Sequence, residues 1–108
     1  MKLSTLTTAA CLALATPIQA EPIDDYCAAV GDLAYRVMLD RQEGVAMTEQ
    51  MRDAGPVYWI RETVKEAYNE YRFSGTIAKR DAAQNYRNRL EGICYRALED
   101  GGSMRTHE

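Results

Sequence analysis

The sequence predicts an all-α fold, a small antiparallel bundle of three main helices and one short helix, stapled by one disulfide. Three observations predict it. Apolar residues recur every three or four positions through most of the chain, the period of a helix face. No stretch alternates apolar and polar residues between turn signals, so no strand competes. Two cysteines, Cys27 and Cys94, lie near opposite ends of the helical region.

The chain begins "MKLSTLTTAACLALATPIQA". Lys2 provides a positive start. An apolar run from Leu6 to Ala15 follows, and the chain turns acidic after Ala20. This is the pattern of a secretory signal peptide. The run is too short to span a hydrocarbon layer of about 30 Å. Cys11 sits inside that run with Thr8 three places before it, a poor match to a lipid-modified cysteine. Residues 1–20 are therefore expected to be removed. Residues 21–100 are expected to form the helical domain and residues 101–108 a disordered tail. The expected location is the periplasm or the exterior of the cell.

The chain carries 13 Lys and Arg against 16 Asp and Glu. Cleavage after Ala20 removes only Lys2, leaving twelve against sixteen, a formal charge of −4. An acidic balance gives no argument for nucleic-acid or membrane-surface binding. In an oxidising compartment, the two remaining cysteines are expected to pair. The loop closed by Cys27–Cys94 is worth about 4 kcal/mol in the chain-entropy treatment.

The first helix is expected from Pro22 to Glu43, with Ile23, Cys27, Val30, Ala34 and Val37 on one face. Asp24 and Asp25 suit its first turn, where the helix dipole favours anions. Asp32, Arg36 and Asp40 follow at i, i+4 spacing on the other face. Gly44 is a natural stop. "VAMTEQMRDAG" reads as a short helix capped by Thr48, with Met47 and Met51 sharing a face. The third helix is expected from about Pro56, suited to a first helical position, to Tyr71. Its stripe is Val57, Ile60, Val64, Ala67, Tyr68 and Tyr71. Ser74 or Thr76 should cap the last helix, which runs to about Leu98. Its inner face is Ala83, Tyr86, Leu90, Ile93, Cys94 and Ala97.

Bonding Cys27 to Cys94 requires the start of the first helix to meet the end of the last, so these two run antiparallel. Ala28, Gly31 and Ala34 are small enough to let a neighbour approach. Charge agrees. The first helix holds five acids and two arginines, whereas the last holds five cations and two acids.

Signals of catalysis are sparse. The one histidine, His107, lies in the tail, so no Ser-His or Cys-His pair can be built inside the fold. Asp24, Asp25, Glu62, Glu66 and Glu70 could support acid–base chemistry, but capping and solvation explain them more simply. The chain is therefore read as not an enzyme, with no catalytic residues and no cofactor. Spacings for zinc and calcium sites are missing. Met38, Met47 and Met51 could bind Cu(I), but flexible core filling is the simpler role, so no metal is expected. The basic last helix with Tyr86 and Tyr95 is read as a face that is solvated or paired with the first helix.

The aromatics are the most suggestive feature. "VYWIRETVKEAYNEYRF" holds Tyr58, Trp59, Tyr68, Tyr71 and Phe73, five of nine aromatics in 17 residues. Tyr, Trp and Arg are favoured at interfaces, which makes Tyr58, Trp59 and Arg61 candidate contact residues.

Around "RQEGVAMTEQM", flanked by Cys27 and Cys94, the chain resembles small exported bacterial helical proteins. These carry an Arg-Gln-x-Gly turn, a Met-bearing short helix and a late cysteine. The resemblance spans most of residues 21–108 and implies no particular activity. The architecture is also similar in form to small periplasmic acid-stress chaperones and to helical immunity proteins, without a diagnostic motif of either. The functional expectation is an exported protein that binds another protein, as an inhibitor, an immunity-like factor or another periplasmic module. An acid-stress chaperone is the alternative, and a small carboxylate-based enzyme stands third.

Intact-mass analysis of the protein recovered after export should find a chain beginning at Glu21. It should lack two hydrogens relative to the reduced form, with no free thiol. A chain retaining residues 1–20 with both thiols free would contradict the export reading.

Overall fold

The computed structural model describes residues 22–100. The expected cleavage segment, Cys11 and the tail with His107 lie outside them. Four helices follow in order: α1 (Ile23–Gln42), α2 (Met47–Ala54), α3 (Tyr58–Ala67) and α4 (Thr76–Glu99). There is no strand among the described residues, and the bundle is all-α as expected.

The antiparallel pairing of α1 with α4 dominates the fold. Contacts between them run in opposite senses along the two helices. Asp24 accepts from the Tyr95 hydroxyl at 2.9 Å. Cys27 is bonded to Cys94 with Cα atoms 5.6 Å apart. Asp32 meets Arg87 at 2.7 Å. The complementary charge of the two helices is thus realised partly as direct contact. Asp32 reaches across to α4, while its expected neighbour Arg36 acts on Asp40 instead.

Gly31 makes room on α1 for a side chain of α4. A Cβ there would lie 2.2 Å from Glu91 Oε2. The missing side chain lets the Glu91 carboxylate lie against the α1 backbone. Gly92 has no comparable role, because a Cβ there would meet only the end of Arg96 at 3.6 Å.

The main core gathers Ala34, Val37 and Met38 from α1, Val64 and Ala67 from α3, and Ala82, Ala83 and Tyr86 from α4. Met47 and Met51 pack against it from α2, and Met38 lies within it, so all three methionines serve packing. Cys27, Val30 and Cys94 form a separate, smaller cluster at the disulfide end.

Several boundaries differ from the sequence expectation, each for a local reason. α2 starts after Ala46 and α4 after Gly75, and neither end has a side-chain cap, so Thr48, Ser74 and Thr76 do not cap. Pro56 precedes α3 by two residues, because Gly55 at φ +63° and extended Val57 carry the chain around the corner first. α3 stops at Ala67, although its apolar period continues to Tyr71. Side chains from α1 claim the carbonyls that would follow. Arg41 donates to the Glu70 carbonyl at 2.9 Å, and Gln42 donates to the Tyr71 carbonyl at 2.6 Å. Tyr71 consequently leaves the apolar face and is 79% exposed.

Gln42 is the centre of this latch. It is fully buried, and its Oε1 accepts from the Phe73 backbone N–H at 2.8 Å. Arg72 closes the circuit by donating to the Gln42 carbonyl at 3.3 Å. Arg41 also stacks over the Tyr68 ring, 5.0 Å from its centre. Next to the latch, α1 ends in a Schellman turn, with Gly44 N–H donating to Arg41 and Val45 N–H to Asp40. Gly44 has φ +93°, which glycine adopts at little cost. Each named residue of the Arg-Gln-x-Gly turn therefore has a structural task.

Gln50 plays a similar part from α2. Its amide donates to the Val37 carbonyl at 3.0 Å and to the Tyr68 hydroxyl at 2.8 Å. That hydroxyl donates in turn to the Val45 carbonyl at 2.6 Å. Replacing Gln42 by Ala should destabilise the fold by about 2–4 kcal/mol, from two lost, partly buried hydrogen bonds to backbone plus a cavity. Chemical denaturation checks it, with exposed Gln84→Ala as a control expected within about 0.5 kcal/mol of the parent.

Candidate functional site

The surface feature with the clearest capacity to bind lies at the disulfide end. α1 packs against both α4 and α3, while the backbones of α3 and α4 stand further apart. Two side-chain ties bridge them. The Tyr86 hydroxyl donates to the Thr63 carbonyl at 2.6 Å, and Arg89 pairs with Glu66. Burial raises the Tyr86 phenol well above its ordinary pKa, and the Glu66 charge adds to this. Tyr86 therefore stays neutral and keeps its donor proton.

Beyond these ties the two helices leave an apolar groove of about 350 Å³. Val30 and Cys94 lie at its base, Tyr58, Trp59 and Glu62 come from α3, and Ile93 and Leu98 from α4. Several of these side chains are left in solvent: Tyr58 is 74% exposed, Trp59 41% and Ile93 45%. Ile93 was expected to pack inward with Leu90. It sits instead on the groove wall, where the backbones of α3 and α4 stand apart. Tyr26 joins the lining from the start of α1 and is also exposed. Neither Tyr26 nor Leu98 stands out by residue type. Only the meeting of the two helix ends, which the disulfide enforces, places them beside Trp59.

No family model, curated protein or solved structure matches this chain.

The three sequence-derived contact candidates separate. Tyr58 and Trp59 lie side by side in the groove lining. Arg61 does not join them. It is half-buried, and its guanidinium donates to the Met51 carbonyl at 3.1 Å and the Gly55 carbonyl at 2.8 Å. Arg61 thus ties α3 to the end of α2.

Three of the five carboxylates considered for acid–base work have structural partners. Asp24 holds Tyr95, Glu62 pairs with Lys65 at 2.6 Å, and Glu66 pairs with Arg89. Two of the five basic residues of α4 are similarly engaged. Arg87 bonds Asp32 and stacks on Tyr35 at 4.9 Å, and Arg89 stacks on Tyr86 at 5.1 Å. Pairing with the first helix, one of the two readings of the basic helix, describes Arg87, whereas Arg89 turns to α3.

These roles predict opposite responses to truncation. Arg61→Ala should cost about 1–3 kcal/mol, since it leaves two carbonyls without their charged donor. Tyr58→Ala should change stability by no more than about 0.5 kcal/mol, as for other exposed sites. Thermal or denaturant unfolding of the two variants checks the ordering.

Proposed function

We propose that this chain is an exported, non-catalytic binding protein that engages another protein through the groove at its disulfide end. An inhibitor, an immunity-like factor or another periplasmic module fits this description. The exposed apolar surface of Tyr58, Trp59 and Ile93 carries the reading. A small fold leaves such side chains uncovered at the cost of solubility, and a contiguous patch of this kind marks an interaction site. The Cys27–Cys94 bond is consistent with a compartment outside the cytoplasm, and no described helix is long and apolar enough to cross a membrane.

The acid-stress alternative needs carboxylates whose protonation loosens the bundle. Asp40 works in the other direction. Its carboxyl is held above the usual range by partial burial, with Asp53, Glu49 and Glu43 adding to the effect and Arg36 opposing it. A carboxyl whose pKa is higher folded than unfolded binds its proton more readily in the folded chain. Acidification through that window therefore favours folding at Asp40.

Photo-crosslinking side chains placed at Tyr58 or Ile93 test the reading in the exporting cell. The expected result is a crosslinked protein partner from these positions and none from exposed Gln84. Absence of crosslinks at Tyr58 and Ile93, together with measurable turnover of a substrate by the purified chain, would contradict it.

A further inference from the structure

The groove's shape and charge narrow the partner further, given the reading that it binds protein. Along α3 it runs from Tyr58 to Glu66, and along α4 from Leu90 to Leu98. Each span is about 12 Å at the α-helical rise. Side chains at i, i+4 and i+7 of a helix cover about 10 Å and project from one face. Three such anchors match the length of the groove.

Charge is the second constraint. The charged residues lining the groove are Glu62 and Glu66, both acidic, and neither Lys nor Arg lines it. Their partners Lys65 and Arg89 are about half exposed, so these pairs are weak and exchangeable. A carboxylate also has lone pairs enough for a second donor. The rings of Tyr58 and Trp59 offer faces over which a cation is attracted.

We propose that the groove receives a basic amphipathic helix of a partner protein, with large apolar anchors in the groove and Lys or Arg against Glu62 and Glu66. A fatty-acid carboxylate fits poorly, since it would meet these acids. A second copy fits poorly too, because a two-fold contact through this face would bring like acids together.

Trp59 is the only tryptophan in the chain, so its emission reports directly on the groove. The probe is a synthetic amphipathic helix with Leu at i, i+4 and i+7 and flanking Lys, titrated into the full mature protein. Two twins accompany it, one with Glu for Lys and one with Ser for Leu. The Lys peptide should shift Trp59 emission to the blue and saturate. The Glu twin should bind about tenfold more weakly or worse, and the Glu62→Gln/Glu66→Gln double variant should lose about tenfold affinity for the Lys peptide, with its thermal midpoint confirming the fold. The Ser twin should not bind.

Equal binding of the Lys and Glu peptides would overturn the basic-helix assignment while leaving the groove as a protein site. So would failure of every peptide in a protein that still crosslinks through Tyr58. Dodecanoate binding as tightly as the Lys peptide, or a Trp59 shift that tracks self-association of the protein alone, would give the groove to a lipid or a second copy and overturn it as well. Failure of every peptide without groove crosslinks would remove the underlying function too.

Discussion

The antiparallel contact between α1 and α4 is the constraint on which the rest of the structure depends. These helices are the two longest, and they carry most of both buried clusters. Ala34, Ala82 and Ala83 keep the axes close in the main core, and Gly31 admits Glu91 against the backbone. At one end the pairing is closed covalently by Cys27–Cys94. A cross-link over this loop contributes about 4 kcal/mol by restricting the unfolded chain. Against a total stability of about 5–15 kcal/mol, that is a large share for a small domain.

The opposite end is closed by polar contacts instead. Gln42 and Arg41, at the last turn of α1, hold the carbonyls and amide of the segment joining α3 to α4. That segment has no helix or strand of its own, so its backbone groups need partners from elsewhere. Two ends closed by different chemistry leave α3 a short side element, fastened by Arg61 and Tyr68 to α2 and by Tyr86 to α4. Because α3 is short and splayed from α4 toward the disulfide end, the groove opens there.

Much of this was legible in the sequence, and the limits have physical causes. The faces of α1 and α4 could be read because both helices bury a stripe against one partner, which imposes the helical period. The disulfide followed from two cysteines and the export pattern. The end of α3 was misplaced because Tyr68 and Tyr71 continue the period, while the hydrogen bonds that stop the helix come from residues 29 positions earlier. Gln42 and Gln50 were passed over because a glutamine in a sequence looks solvated, and only tertiary contact reveals its buried partners. At the groove, Tyr58 and Trp59 were singled out by their amphipathic rings, and both line it. Arg61 was grouped with them by residue type alone, and its targets, two backbone carbonyls, have no signature in sequence. Ile93 was assigned inward because it shares the period of Leu90, and the width of the gap beside it is a property of helix placement.

The central claim is that the disulfide, rather than extensive apolar packing, maintains the groove end. Only Cys27, Val30 and Cys94 are buried in the smaller cluster, whereas the main core buries eight residues. Amide hydrogen exchange compared between the oxidised protein and a Cys27→Ser/Cys94→Ser double variant tests this most directly. The expected result is a marked loss of protection in residues 24–30 and 93–99, with protection largely kept in residues 34–38 and 82–86. Unchanged protection at the disulfide end, or an equal loss in both regions, would contradict it.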